Sequence, residues 1–315
     1  MFRIPRPSAG RPPRVYYVVL SLLLASVAVG AARAETVERT VAVQAAPAFV
    51  SDRLSVDVMG SGPDVILIPG YASSREVWRT EAERLAATHR VHLVQLAGFA
   101  GEPWSHGDGP FLQPALDELA RYIGETGLDH PSVIGHSMGG LSALMLAQQH
   151  PDLIGRVMTV DSLPFFSALY GPTLTVDSVQ EMAVRVSQMM LHTDAENFRA
   201  GQALGAPGLS RTPATQAAMV DWAMASDRQA LATAIREVMT TDVRPQLADM
   251  TTPVWAVYAA DEDGGAPAAM ADAMWTREYI SLPGVRLIRV DGSRHFIMAD
   301  QPDRFAEIVE AFLTD

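Results

Sequence analysis

The chain has 315 residues, 48% apolar and 19% charged, which is enough for one large α/β domain with an insertion or for two small domains. It contains no cysteine, so disulfides, thiolate metal sites and cysteine catalysis are excluded. All 24 basic residues are arginine, and a net charge of -12 without a basic stripe argues against nucleic acid as a partner.

The first 34 residues differ in composition from the rest of the chain. Arginines precede a largely apolar run from Val15 to Ala32, and Ala32-Arg33-Ala34 supplies the small-x-small pattern that signal peptidase recognises. We therefore predict a signal peptide at 1–34, and an exported protein, periplasmic or secreted, with no stable membrane anchor after cleavage. The alternative is an uncleaved anchor, because about 18 apolar residues approach the length that spans a bilayer.

From residue 35 to residue 160 the pattern alternates between strands and helices. Residues 40–43 and 54–58 alternate apolar and polar side chains, which predicts antiparallel edge strands. Residues 65–68 are continuously apolar, as expected for a strand that is buried on both faces. Further segments follow in alternation: strands at 91–96, 132–135 and 156–160, and helices at 75–87, 112–124 and 138–149. This order favours a mostly parallel sheet with helices on both faces.

Residues 163–247 contain helical patterns only. Asp177, the pair Thr212-Pro213 and Ser226 are residue types that favour helix starts, and we predict that helices begin there. The segment is therefore predicted to be a helical insert over one end of the sheet.

Strands resume after the insert, at 253–258 and 285–290, and a last helix is predicted at 302–313. We therefore predict that residues 35–162 and 248–315 form one α/β core.

A serine motif lies at the junction of a predicted strand and a predicted helix. The run from Gly135 to Gly140 fits Gly-x-Ser-x-Gly, a pattern in which small residues allow a sharp turn that exposes the serine. A nucleophile at such a turn has a strained backbone conformation. We predict that Ser137 is the nucleophile; the alternative is a tight turn with an incidental serine.

A second turn, Pro69-Gly70-Tyr71, follows the predicted strand 65–68. The backbone N–H groups of Tyr71 and Met138 are candidates for an oxyanion hole. The alternative is an ordinary Pro-Gly turn.

His295 lies in a loop, Gly292-Ser293-Arg294-His295-Phe296, directly beyond the predicted strand 285–290. The carboxyl ends of parallel strands meet at one edge of a sheet, so His295 and Ser137 are expected at the same edge. We predict that His295 is the general base.

The order of these motifs resembles the α/β-hydrolase superfamily, and the resemblance covers nearly all of the mature chain. It is carried by Pro-Gly-Tyr, by Gly-His-Ser-Met-Gly-Gly, by the helical insert, and by Ser-Arg-His-Phe followed by Asp300-Gln301-Pro302. The resemblance implies the α/β-hydrolase fold, with a mostly parallel eight-stranded sheet and a helical cap inserted after strand 6. It also implies a Ser–acid–His triad in which Ser137 attacks a carbonyl and His295 takes its proton.

The resemblance implies two places for the acid of the triad. One follows the strand after the cap, where the register counted from Pro253 reaches Glu262, with Asp261 and Asp263 on either side. The other is Asp161, which directly ends the strand before the cap and needs no adjustment of register. We place Asp161 ahead, with Asp261 as the alternative.

No metal-binding motif, phosphate-binding glycine loop or dinucleotide fingerprint occurs in the sequence, so we expect neither a metal nor another cofactor. The predicted function is that of an exported serine hydrolase that cleaves a carboxylic ester, a lactone or a related acyl bond of a small molecule through an acyl-enzyme on Ser137. One alternative is an acyltransferase that uses the same triad. Another is a non-catalytic ligand-binding protein that keeps the fold.

Overall fold

Seven strands form one sheet in the computed structural model, which describes residues 49–315. They are Leu54–Gly60 (β1), Asp64–Ile68 (β2), Arg90–Leu96 (β3), Ser132–His136 (β4), Arg156–Val160 (β5), Val254–Ala260 (β6) and Arg286–Asp291 (β7). The described part of the chain therefore has seven strands where eight were expected. The predicted strand at 40–43 and the predicted signal peptide at 1–34 lie outside the described residues.

The strand order is β1-β3-β2-β4-β5-β6-β7, and only β1 runs antiparallel to its neighbour. Strand β3 lies on one side of β2 in the sheet, and the chain then returns so that β4 lies on the other side of β2. In an open sheet of this kind, the carboxyl ends of the strands at such a reversal leave a crevice for ligands. The ends of β2 and β4 therefore mark the position of a site.

Helices pack on both faces of the sheet. They are Arg79–Leu85 (α1), Leu112–Thr126 (α2), Met138–Gln149 (α3), Val176–His192 (α4), Ala195–Leu209 (α5), Pro213–Ala225 (α6), Arg228–Thr240 (α7), Ala268–Glu278 (α8), Ile297–Asp300 (α9) and Pro302–Thr314 (α10). Short 3-10 helices cover Arg75–Trp78, Phe166–Tyr170 and Arg244–Asp249. None of the helices within residues 49–315 is both long enough and apolar enough to cross a membrane.

Strand β2 shows why the central strands are continuously apolar. Its side chains alternate between two cores, with Ile66 and Ile68 in one cluster and Val65 and Leu67 in the other. All four are at most 1% exposed. Because successive side chains of a strand point to opposite faces, a strand that is covered on both faces needs an apolar residue at every position.

Helices α4 to α7 all lie between β5 and β6, so the segment predicted as helical is helical in the structure. Thr212 precedes Pro213, the first residue of α6, as predicted. Two predicted helix starts are wrong, because side-chain oxygens of other residues accept the hydrogen bonds from the free amides in the first turn. The side chain of Thr175, rather than Asp177, caps α4, and the carboxylate of Asp227, rather than Ser226, accepts two hydrogen bonds from the first turn of α7.

Candidate active site

Ser137 lies between the end of β4 and the start of α3, in a backbone conformation that residues other than glycine rarely adopt. Its φ is 53° and its ψ is -119°. The turn is held by hydrogen bonds, because the amide of Ser137 donates to Val160 O at 2.9 Å and its carbonyl accepts from Gly140 N at 2.9 Å. A conformation of this kind persists only where the surroundings impose it, and such strain is concentrated at functional sites.

The glycines of the serine motif are required by close backbone contacts. A Cβ atom at Gly135 would lie 2.1 Å from Gly139 O, and one at Gly139 would lie 2.4 Å from Ile68 O. A Cβ at Gly140 would lie 2.6 Å from the Cβ of Ser162. Glycine at these positions lets β4, the turn and α3 pack closely enough to present Ser137 at the edge of the sheet.

His295 is paired with Asp161. The imidazole Nδ1 donates to Asp161 Oδ2 at 2.7 Å, and Asp161 Oδ1 accepts a second hydrogen bond from the amide of Ala259 at 3.0 Å. Asp161 follows β5 directly and has a φ of 46°. The pair fixes the tautomer of the ring, because an imidazole that donates from Nδ1 leaves Nε2 as the acceptor.

Ser137 and His295 line the same two cavities. Among the hydrogen bonds of residues 49–315, none joins the Ser137 hydroxyl to the imidazole. Hydrogen bonds of catalytic groups are often long before substrate binds and shorten in the complex. The structure thus brings Ser137, His295 and Asp161 to one place, at the carboxyl ends of the strands.

Tyr71 and Met138 line the larger of these cavities. The backbone amide of neither residue donates a hydrogen bond to another residue within 49–315. Met138 is the first residue of α3, where amide groups have no partner inside the helix and the helix dipole is positive. Gly70 lets the Tyr71 loop approach, since a Cβ there would lie 3.1 Å from the Cβ of Ser137. Two free donors therefore lie beside the nucleophile.

The Tyr71 side chain connects this loop to helix α7. Its hydroxyl donates to Leu231 O at 3.0 Å, and burial raises the pKa of the Tyr71 phenol, so the donor proton is retained. Helix α7 is also held against the core by Glu237, whose carboxylate accepts from the amides of Phe111 at 3.0 Å and Leu112 at 2.7 Å. The helical segment is thus tied both to the Tyr71 loop beside Ser137 and to the start of α2.

The structure places the alternative acid elsewhere. Asp261 accepts hydrogen bonds from Arg211 Nε at 2.9 Å and from Arg294 Nε at 2.8 Å. Chiefly Arg211, together with Arg294, lowers the pKa of the Asp261 carboxyl to about 2. Asp263 binds Arg211 at 3.0 Å, and Glu262 is exposed. None of these three carboxylates is hydrogen-bonded to His295 in the described part of the chain.

His136, inside the serine motif, is a residue whose part in the site the sequence did not indicate. Its ring is buried, its Nε2 donates to the carbonyl of His295 at 3.0 Å, and the two ring centroids are 4.5 Å apart. Burial, with a smaller contribution from His295, lowers the pKa of His136 well below its ordinary value. A neutral His136 therefore supports the backbone of the histidine loop.

Asp300, one of the residues after the histidine that carry the resemblance, also has a part in the site that the sequence did not indicate. Its Oδ2 accepts from the amide of Arg294 at 2.9 Å, and its Oδ1 accepts from Ser210 Oγ at 2.6 Å and from the amide of Arg211 at 2.9 Å. In addition, the amide of Phe296 donates to Leu209 O at 3.1 Å. The residues on both sides of His295 are therefore bonded to the helical segment or to Asp300.

Together these groups have the chemistry of acyl transfer. They supply a hydroxyl at a strained turn, an imidazole oriented by a carboxylate, and two free amides at one cavity. Among residues 49–315, no group of three or more His, Cys, Asp or Glu side chains is arranged to hold a metal ion.

Comparisons with known proteins show which family the chain is similar to. A sequence model of the alpha/beta hydrolase family matches residues 65–308. The chain is 27% identical over 212 residues to a pimeloyl-[acyl-carrier protein] methyl ester esterase of Vibrio atlanticus, covering 66% of this chain and 80% of that protein. It is 30% identical over 244 residues to the enzyme of the same name from Edwardsiella ictaluri, covering 77% of this chain and 90% of that protein.

Solved structures resemble the fold closely. The enol-lactonase from Burkholderia xenovorans LB400 superposes with a TM-score of 0.68 at 18% identity, covering 83% of this chain and 96% of that chain. A thermophilic esterase from Thermogutta terrifontis superposes with a TM-score of 0.69 at 18% identity, covering 83% and 93%. At this level of identity the likeness concerns the fold alone.

Proposed function

The chain belongs to the alpha/beta hydrolase family, and from that premise we propose that it is an exported serine hydrolase that cleaves a carboxylic ester, a lactone or a related acyl bond through an acyl-enzyme on Ser137. Relatives that are named as esterases support a carboxylic ester hydrolase with a small-molecule ester as its substrate.

One observation carries the proposal: His295 Nδ1 donates to Asp161 at 2.7 Å beside the cavities that Ser137 also lines. We assign Ser137 as the nucleophile and His295 as the general base. Asp161 is assigned as the acid that orients the imidazole and stabilises the imidazolium. Asp261 is not assigned to the triad, because two arginines occupy its carboxylate.

In the first half of the reaction, Ser137 Oγ attacks the carbonyl carbon while His295 Nε2 takes the hydroxyl proton. The oxygen that becomes negative accepts hydrogen bonds from the amides of Tyr71 and Met138, and the loss of one such donor typically costs about 3 kcal/mol. The carbon–oxygen bond to the alcohol then breaks, and His295 gives its proton to the departing alkoxide. Water attacks the acyl-enzyme by the same route, which releases the acid and restores the serine.

A fluorophosphonate probe tests the nucleophile, because it reacts with activated serines and not with ordinary ones. We expect it to label Ser137 in the folded protein, and to label neither the Ser137→Ala variant nor the urea-unfolded protein. A panel of short and long p-nitrophenyl esters and lactones then tests turnover. Absence of both labelling and turnover would favour a ligand-binding protein. An ester product formed with an added alcohol, in preference to the free acid, would favour an acyltransferase.

Export forms a separate part of the proposal. It is supported by the arginine-rich, apolar leader and by Ala32-Arg33-Ala34. We expect the protein from the periplasm or medium of its host to begin at Glu35, as measured by mass spectrometry of the intact chain. A cytoplasmic protein with an intact amino terminus would contradict export without affecting the assignment of the triad.

A further inference from the structure

Tyr279 follows α8 directly and is fully buried, and no step of the proposed reaction uses it. Its hydroxyl donates to the carbonyl of Ser162 at 2.8 Å. A second hydrogen bond, at 3.0 Å, joins the same hydroxyl to Thr159 Oγ1. Because a phenol carries one proton and a carbonyl only accepts, Thr159 is the donor in the second bond. Tyr279 therefore joins two points of one short segment of the chain.

The segment that is bridged in this way carries the proposed acid of the triad. Thr159 lies two residues before Asp161, and Ser162 directly follows it. Between them, the carbonyl of Val160 accepts a hydrogen bond from the amide of Ser137 at 2.9 Å, which holds the turn of the nucleophile. One buried hydroxyl thus bonds on both sides of the acid and of the residue that supports the nucleophile.

The backbone at Asp161 needs a support of this kind. Its φ of 46° lies in the left-handed region, which residues other than glycine rarely adopt. The amide of Asp161 still donates to Val257 O, on β6, at 2.8 Å. The carbonyl of Ser162 lies on the far side of Asp161, and Tyr279 is its partner there. A strained conformation persists only where the surroundings impose it, and the Tyr279 hydroxyl supplies a contact that does so.

The two oxygens of the Asp161 carboxylate have partners on different elements. Oδ1 accepts from the amide of Ala259, on β6, at 3.0 Å, and Oδ2 accepts from His295 Nδ1 at 2.7 Å. An aspartate side chain is too short to compensate for a shift of its own backbone. Any such shift therefore changes the hydrogen bond that orients the imidazole.

The Tyr279 hydroxyl acts through Asp161 and not on a substrate. Tyr279 lines neither of the two cavities at Ser137. Burial raises the pKa of the Tyr279 phenol, so its proton stays available to Ser162. We propose that Tyr279 is a positioning residue, whose hydroxyl holds the backbone on both sides of Asp161 so that the carboxylate meets the imidazole of His295. This inference rests on the proposed function.

The variant Tyr279→Phe tests the proposal, because it removes the hydroxyl and keeps the ring. Displacement of a catalytic group by about 1 Å costs on the order of a hundredfold in rate. We therefore expect kcat to fall about tenfold to a hundredfold while KM changes less than about twofold. Steady-state kinetics with a p-nitrophenyl ester, corrected for the folded fraction, measures both constants. A folded variant with an unchanged kcat would overturn the proposal.

Tyr258→Phe is the matched control. Tyr258 is also buried, and its ring stacks on Trp275 of α8, with the ring centroids 4.9 Å apart. Its hydroxyl, however, donates to Asp272 Oδ1 at 2.7 Å and not to the segment around Asp161. We expect an unchanged kcat, whatever the melting temperature. Equal falls in kcat in the two variants would contradict the role of Tyr279, because the loss of either buried hydroxyl beside α8 would then have the same effect.

Proton NMR reports on the hydrogen bond itself. The Nδ1 proton of an imidazole that is bonded to a carboxylate resonates far downfield, and the loss of this signal in Asp161→Asn assigns it to His295. We expect Tyr279→Phe to shift the signal upfield or to broaden it through faster exchange with water, and Tyr258→Phe to leave it unchanged. A tyrosine that only stabilises the core would lower the melting temperature in Tyr279→Phe without moving the signal, and that result would overturn the proposal.

Thr159→Val serves where the phenylalanine variant does not fold. Valine keeps the β-branched shape of threonine but removes the hydrogen bond to Tyr279. Since the bond from Tyr279 to Ser162 remains, we expect a smaller fall in kcat and a smaller shift of the NMR signal in the same direction. A folded Thr159→Val variant in which neither changes would end the proposal.

These measurements separate the positioning role from the proposed function. Labelling of Ser137 by the fluorophosphonate and turnover of an ester by the unsubstituted protein test the function. If both succeed while Tyr279→Phe keeps its kcat and its NMR signal, only the positioning role is wrong. If both fail while the signal still moves in Tyr279→Phe, the serine hydrolase is wrong and the support of Asp161 by Tyr279 is upheld.

Discussion

The carboxylate of Asp300 accepts a 2.9 Å hydrogen bond from the amide of Arg294, the residue before His295. Its other oxygen accepts from Ser210 Oγ and from the amides of Arg211 and Thr212, at the junction of α5 and α6. One side chain thus bonds the histidine loop and the helical segment at once. Asp300 lines neither of the two cavities at Ser137, so we expect it to affect catalysis only through the position of His295.

We predict that Asp300→Asn lowers kcat with little change in KM. An amide can keep its oxygen toward Ser210 and Arg211, but its NH2 group then faces the N–H of Arg294, donor against donor. Displacement of a catalytic group by about 1 Å costs on the order of a hundredfold in rate. Steady-state kinetics with a methyl ester, corrected for the folded fraction, measures the effect.

Thr212→Val provides the matched control for Asp300. The single proton of the threonine hydroxyl is shared between two acceptors, Asp300 Oδ1 at 3.1 Å and Ala299 O at 3.0 Å. Valine therefore loosens only the side of the network that faces the helical segment. We expect a much smaller loss of kcat, because the bond from Arg294 remains. Equal losses in the two variants would show that Asp300 acts on the helical segment rather than on the histidine loop.

Ser137→Ala should lower kcat by roughly a millionfold while the protein stays folded. Alanine keeps the Cβ that the turn already accommodates, so we expect the melting temperature to be maintained or raised. Any rise would reflect the loss of a polar group from an apolar cavity. Turnover near that of the unsubstituted protein would contradict the assignment of the nucleophile.

The two candidate acids should respond differently to loss of their charge. Asp161→Asn should lower kcat on the order of ten-thousandfold, because an amide holds the imidazole in the wrong tautomer. Asp261→Asn should chiefly lower the melting temperature, since Arg211 and Arg294 lose the carboxylate that they share. Kinetics and thermal unfolding of both variants measure this contrast. The reverse pattern would move the acid to Asp261.

Much of the sheet was predictable from the sequence because of how it is buried. Strands β4 and β5 and helix α3 were placed to within one residue of their observed bounds. Strands that are covered on both faces leave continuous apolar runs, and the intervening helices are separated from them by clear turns. The starts of α4 and α7 were misplaced because neighbouring polar residues compete to cap a helix, and packing decides which of them does so.

The candidate site was predictable where one short motif carries it and not where distant segments meet. The glycines around Ser137 are explained by contacts within one turn and with the neighbouring strand. The contact between Asp161 and His295 spans 134 residues, and although Asp161 was placed ahead, the pattern left Asp261 open as the alternative. Asp261 is bound instead by Arg211, from the helical segment, and by Arg294. Only a tertiary structure reveals that pairing.

His136 should make the stability of the fold depend on pH. Burial keeps its folded-state pKa well below the ordinary value of about 6.5, whereas in the unfolded chain the ring takes up a proton near that pH. Below about pH 6.5 the unfolded state therefore binds one more proton than the folded state. The free energy of unfolding then falls by about 1.4 kcal/mol for each unit of pH, and above that range the contribution is constant.

The difference between the unsubstituted protein and His136→Gln isolates this effect, because all other titrating groups are shared. We expect the stability advantage of histidine over glutamine to be largest at pH 7 to 8 and to shrink toward pH 5, as measured by urea unfolding at each pH. His192→Gln, at an exposed position on α4, is the control for the same substitution outside the core. Suppose that the difference in unfolding free energy between the unsubstituted protein and His136→Gln does not vary with pH. His136 would then be protonated alike in the folded and unfolded states. It would then not be the neutral donor that supports the carbonyl of His295.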